Sequence, residues 1–138
     1  MSEGLHLLGT SVTELPQSRK DAVIETFPNP SPGREYWIKL STHEFTSNCP
    51  ETGQPDFGRI DIRYIPNEQC VETKSLKFYL NAYRNESCFN EAAVNWILDD
   101  LVEACSPKKM SVRGKFASRG GIRVAVEACY PAGEEYDQ

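Results

Sequence analysis

A chain of 138 residues suits one compact domain and leaves no room for a second of ordinary size. With 39% apolar and 25% charged residues, nine Gly and nine Pro, it has the composition of a globular protein, not of a fibrous or disordered one. Fifteen basic against twenty acidic side chains give a net charge of −5, which withholds the polybasic footprint of general nucleic-acid or anionic-membrane binding.

Residues 1 to 34 are rich in Pro, Ser, Gly and Glu, with Pro28, Pro30 and Pro32 close together. They read as an N-terminal arm or loop, poorly ordered over its first ten or so residues, leading into a single domain over 35–138. Tyr36 to Leu40 form a short strand-like run. From Thr42 to Phe57 the chain turns loop-like, with Pro50, Gly53 and Pro55 in eight residues. Ile60, Ile62 and Tyr64 then alternate with Arg59, Asp61 and Arg63, the period of a strand with one buried face. Leu76, Tyr79, Leu80 and Tyr83 follow helical spacing, and Ala93, Val94, Ile97, Leu98, Leu101, Val102 and Cys105 repeat it in a second helix. After Pro107 the period returns to two, through Met110, Val112, Gly114 and Phe116 and then Ile122, Val124, Val126, Ala128 and Tyr130. Ser118-Arg119-Gly120-Gly121 separates these runs as a hairpin turn. The order strand, strand, helix, helix, strand, strand predicts an α+β fold whose antiparallel sheet carries both helices on one face. Its two open edges invite pairing with further copies of the chain.

Five cysteines at 49, 70, 88, 105 and 129 include no C-x-x-C pair. They fit neither a zinc ribbon nor a disulfide scaffold, and no metal is expected; free thiols in a reducing cytoplasm suit the pattern. No export signal and no apolar run of membrane-spanning length is read in the sequence.

Cys49 lies in Thr46-Ser47-Asn48-Cys49-Pro50-Glu51-Thr52-Gly53-Gln54-Pro55-Asp56-Phe57, among polar, turn-forming residues where core thiols do not normally sit; Cys105 and Cys129 sit in apolar periodic runs. Neither histidine supports a Cys–His pair, since His6 falls in the arm and His43 in a polar Ser-Thr-His-Glu stretch. Asp56 is the nearest acid. Folded back, the loop brings Cys49 and Asp56 to one pocket, an arrangement suited to sulfur attacking an electrophilic carbon while a carboxylic acid delivers protons. Alternatively, Asp56 shapes the turn after Pro55. In Val71-Glu72-Thr73-Lys74-Ser75-Leu76-Lys77, Thr73 is the expected N-cap with Glu72 beside the positive helix end. Lys74 and Lys77 on the first turn either hold a phosphate or form a solvated basic face. Arg119 with Gly120 and Gly121 can approach an anion closely or simply make the hairpin turn. Asn90 caps the second helix and Glu91 favours its first turn.

Taken together, these motifs resemble the NADPH-dependent 7-cyano-7-deazaguanine reductases of queuosine biosynthesis, the QueF family in its short single-module form. The likeness runs from Thr26-Phe27-Pro28-Asn29-Pro30 to Tyr130. It rests on Cys49-Pro50-x-Thr52-Gly53-x-Pro55-Asp56-Phe57, on Glu72-x-Lys74-Ser75-Leu76-Lys77-x-Tyr79, and on Phe116 with Arg119-Gly120-Gly121. The resemblance implies a tunnelling fold of ββααββ order closing into a barrel across subunits, as pentamer rings or decamers, and a cytoplasmic enzyme. It implies that Cys49 adds to a nitrile carbon as a thioimide, that Asp56 donates protons, and that two NADPH molecules carry the nitrile to the amine. Val71, Glu72, Thr73, Asn90 and Glu91 fall on substrate-contacting positions, and Lys74, Ser75, Lys77, Arg119 and Gly120 on NADPH-binding ones. No direct nucleic-acid partner is implied. Where the family carries His-Glu this chain has Asn90-Glu91, and Asn cannot exchange a proton near neutral pH. Two other readings follow: a related amidinotransferase acting on nitrile-bearing tRNA, and a variant that traps the nitrile but reduces it poorly.

Overall fold

The computed structural model describes residues 15–133; His6 and the first ten residues, expected to be poorly ordered, lie outside them. Four antiparallel strands form the main sheet in the order β2-β3-β5-β6: β2 (Ile38–Asn48), β3 (Pro55–Ile65), β5 (Lys109–Phe116) and β6 (Ala125–Tyr130). Between β3 and β5 the chain makes β4 (Gln69–Val71), α1 (Thr73–Asn81), a 3-10 segment (Ala82–Asn85) and α2 (Asn90–Cys105). Strand β4 pairs with β1 (Thr26–Pro28) as a separate two-stranded ribbon. Among the described residues no helix is long and apolar enough to cross a membrane.

Alternation on β3 works as the sequence predicts: Ile60, Ile62 and Tyr64 are at most 2% exposed and form the floor of the core. Val94, Ile97 and Leu101 of α2 and Leu76 and Tyr79 of α1 pack onto that floor. Each fully buried aliphatic side chain of this kind contributes roughly 1.5–3 kcal/mol. Helix α2 ends where Ser106 enters the left-handed region (φ 44°), its N–H donating to the Val102 carbonyl at 2.9 Å, immediately before Pro107.

One expectation is corrected. Thr42 to Asn48, read as loop, continue β2 through a bulge between Thr42 and Phe45; the connection to β3 is therefore only residues 49–54. The polar sequence misled because β2 is an edge strand whose outward positions face solvent, while Phe45 and Ser47 point inward. The arm is engaged with the fold from Arg19 onward. Arg19 donates from Nε to Asp100 of α2 at 2.8 Å and from its backbone N–H to Glu86 at 2.9 Å, and its guanidinium lies over the Trp96 ring. Asp100 also accepts from the buried Tyr79 hydroxyl, which is bonded to Tyr83.

Gly114 marks a close approach of α2 to the sheet, since a Cβ there would stand 2.8 Å from both Val94 Cγ2 and Phe116 Cε2. Gly114→Ala should lower the free energy of unfolding by about 1–3 kcal/mol. A urea titration would read this as a lower midpoint with unchanged slope, and an unchanged midpoint would show that the layers separate freely.

Candidate active site

The β2–β3 hairpin positions the reactive groups. Ser47 pairs with Asp56 and Asn48 with Pro55, so the residues flanking the turn face each other across the ladder. Within the turn the Cys49 N–H donates to the Gln54 carbonyl at 2.8 Å and the Gly53 N–H to the Cys49 carbonyl at 2.8 Å. Gly53 takes φ +70°, a conformation other L-residues adopt only with strain. The segment after α1 fixes the hairpin from the other side: Asn48 donates its N–H to Glu86 at 2.9 Å, accepts from the Cys88 N–H at 3.0 Å, and gives Nδ2 to the Arg84 carbonyl at 2.7 Å.

This turn acts on the sulfur. The Thr52 hydroxyl, the Thr52 N–H and the Glu51 N–H all donate to Cys49 and hold its thiol below the ordinary range, against partial burial and the Asp56 charge, which push it upward. The other cysteines with a resolved shift move the opposite way. Burial pushes Cys88 up to about 11 and Cys105 up to about 12, and raises Cys70 as well. None of the five forms a disulfide, and Cys129, expected in the core, is only half-buried.

Asp56 sits beside the turn with its side chain 12% exposed and receives Arg119 Nε at 2.9 Å. Arg119 also donates from Nη2 to the Pro55 carbonyl at 2.5 Å and from Nη1 to Gln54 Oε1 at 3.5 Å. It arrives from the β5–β6 hairpin, where Arg119 and Ile122 exchange backbone hydrogen bonds of 2.9 and 3.0 Å around Gly120 and Gly121. Both glycines have positive φ, 57° and 79°, the requirement of a tight two-residue turn matched to strand twist. Cys49, Asp56, Arg119 and Gly120 thus form one group.

A second group lines a groove of about 420 Å³ between α1 and β2. Thr73, Lys77, Asn81 and Arg84 form one helical face along its rim, above an apolar floor that includes Phe45, Ile60 and Ile62. At one end is Arg84, whose carbonyl holds Asn48, the neighbour of Cys49. Arg84 was not singled out from sequence; its spacing of seven from Lys77 is the signal that could have found it. Thr52 was quoted only within a motif, although its hydroxyl reaches back to the sulfur.

Of the remaining candidates, Val71, Glu72 and Ser75 are engaged internally. Val71 is buried and donates its N–H to the Tyr64 hydroxyl at 2.9 Å. Glu72, not Thr73, caps α1: its carboxylate accepts from the Lys74 and Ser75 N–H groups at 2.9 and 2.7 Å, and Thr73 is the first helical residue. A carboxylate beside a helix N-terminus gains from the dipole as well as from the hydrogen bonds, which a threonine hydroxyl does not match. Ser75 is fully buried, donating to the Glu72 carbonyl and accepting from the Glu25 N–H, both at 2.8 Å. Lys74 is half-buried on the first turn of α1. Asn90 is not the cap of α2; Phe89 takes that position, with no side-chain cap bond, and Asn90 Oδ1 is buried without a hydrogen-bond partner. Glu91 is exposed in the first turn, and His43 is exposed on β2.

An α+β protein with a loop thiol lowered by its own turn, a carboxylate–arginine pair beside it and a groove lined by Lys77, Arg84 and Glu44 has the equipment of a thiol-dependent enzyme. Its relatives narrow this class. Residues 55–135 match the family described as QueF-like protein. A protein of Anaeromyxobacter sp. (strain K), named NADPH-dependent 7-cyano-7-deazaguanine reductase, is 54% identical over 113 residues, 80% of this chain and 93% of its own length. A protein of the same name from Bacillus pumilus (strain SAFR-032) is 48% identical over 122 residues, covering 88% of this chain and 74% of the relative. The chain belongs to the QueF family. A crystal structure of the archaeosine synthase QueF-Like in the apo form superposes with a TM-score of 0.63 at 24% identity, covering 67% of this chain and 91% of that one, a likeness of fold.

Thr52→Val removes one donor to the sulfur and leaves the two N–H groups. The pH midpoint of Cys49 alkylation by iodoacetamide should rise by about half to one pH unit. An unmoved midpoint would show that the backbone donors alone set the thiol.

Proposed function

We propose that this protein is an NADPH-dependent reductase of 7-cyano-7-deazaguanine, producing 7-aminomethyl-7-deazaguanine for queuosine synthesis. The observation that carries the reading is the Cys49 turn, which lowers the thiol beside Asp56. It is supported by two relatives at about half identity whose names state this reaction. The Cys49 thiolate adds to the nitrile carbon and the nitrile nitrogen takes up a proton, giving a thioimide. NADPH, when bound, supplies hydride to that carbon, twice over the full reaction. Asp56 hands protons to the nitrogen, and Cys49 leaves as thiolate when the tetrahedral adduct collapses to the imine. Glu91, Asn90 and the Val71–Thr73 segment meet the deazaguanine edge, with Glu72 fixing the segment by its cap.

Lys77 and Arg84 offer the groove two cations for phosphates against the one carboxylate of Glu44, over an apolar floor that accepts a ring; Lys74, Ser75, Arg119 and Gly120 complete the cofactor set. The Cys49 group and the α1 groove are linked through the Asn48–Arg84 hydrogen bond, and sites assembled between subunits of a tunnelling-fold barrel, with edges β2 and β6 as the closing strands, would bring them together more fully.

Protein mixed with 7-cyano-7-deazaguanine and NADPH should oxidise two NADPH per amine formed, and Cys49→Ala should abolish this; NADPH oxidation no faster than in that variant would sink the reading. The unpartnered Asn90 Oδ1 supports a slower variant of the same enzyme, because an amide cannot relay a proton. Asn90→His should raise kcat, by up to about 10²-fold where this proton transfer limits the rate. If intact mass instead shows an adduct that NADPH never discharges, the protein traps the nitrile without reducing it.

A further inference from the structure

Arg119 is claimed twice. As a cofactor contact it must hold a phosphate, yet its Nε is bonded to Asp56 Oδ1 at 2.9 Å, its Nη2 to the Pro55 carbonyl at 2.5 Å, and its Nη1 faces Gln54 Oε1 at 3.5 Å. A guanidinium grips a phosphate through two adjacent nitrogens. The Nε–Nη2 edge is filled by Asp56 and Pro55, so a phosphate taking that edge displaces both. The side chain is 44% exposed, so an incoming anion can reach it, and it is carried on a glycine-tipped turn.

We propose that Arg119 is held by Asp56 and the Cys49 turn while the site is empty and is taken over by a phosphate of the dinucleotide when it binds, so that cofactor loading detaches Asp56 from its guanidinium. This rests on the reductase reading. Asp56 and the phosphate are then competitors for one cation, and the empty site is the state in which the carboxylate is locked. Release of Asp56 places an unclamped acid beside Cys49 only when hydride is also present, which couples proton delivery to cofactor occupancy.

Competition has a signature that does not require turnover. NADP+ binding by calorimetry to the wild-type chain, Asp56→Asn, Arg119→Ala and the double variant forms a thermodynamic cycle. Removing the competitor should tighten NADP+ about two- to fivefold, the range expected for a half-exposed ion pair. Arg119→Ala should weaken binding, and Asp56→Asn should have no effect once Arg119 is gone. Equal tightening in both backgrounds would mean general charge repulsion and would overturn the exchange, as would Asp56→Asn that binds no tighter. In the unaltered protein, the Arg119 Nε–H resonance should shift on adding NADP+; saturation without that shift overturns the inference even if the variants fold poorly. Parallel titrations with NAD+ and 2′,5′-ADP identify which phosphate makes the exchange. Absence of NADP+ binding to the wild-type chain would instead overturn the reductase reading itself.

Discussion

The chemistry of this chain hangs on the register between β2 and β3. Ser47 opposite Asp56 and Asn48 opposite Pro55 leave six residues to turn the chain, and that turn points its own N–H groups and Thr52 at the sulfur. A slip of one residue would send Asp56 to the opposite face of the sheet. Register is pinned at both ends: by the inward set Phe45, Ile60, Ile62 and Tyr64, and by the bonds that tie Asn48 to Arg84, Glu86 and Cys88. Core packing and thiol activation are therefore parts of one arrangement.

The same logic separates the five cysteines by environment. Three hydrogen-bond donors, the Thr52 hydroxyl and the Thr52 and Glu51 N–H groups, decide Cys49, whereas desolvation decides Cys70, Cys88 and Cys105. The loop thiol is lowered here by hydrogen bonds from its own turn, the Thr52 hydroxyl foremost.

Much of the framework was legible in the sequence. The period-two runs at 60–64 and 110–116 and both helical stripes correspond to β3, β5, α1 and α2, because burial of one face leaves a periodic trace. Cys49 with Asp56 was legible as a pair, since six intervening turn-forming residues bring the ends together. What escaped lacks a local trace. The outer half of β2 is polar because it lies at an edge; β1 and β4 are three residues each, too short for a period. Glu72 rather than Thr73 caps α1 through a choice between adjacent residues that only the backbone path settles. The Arg119–Asp56 pair joins residues 63 apart in sequence, and no spacing rule reaches that far. It also ties together two residues that the sequence reading kept in separate groups.

The arm carries a consequence of a different kind. Arg19 bonds Glu86 and Asp100 across 67 and 81 residues, and Glu25 bonds Ser75 across 50. A ribosome makes this segment before its partners exist. During synthesis it has to wait, unpaired, until α2 has emerged, so an early portion of the polypeptide docks late, and the closure of long loops makes that step slow relative to the local helices. The order in which the chain is made is thus inverted in the order in which it is secured.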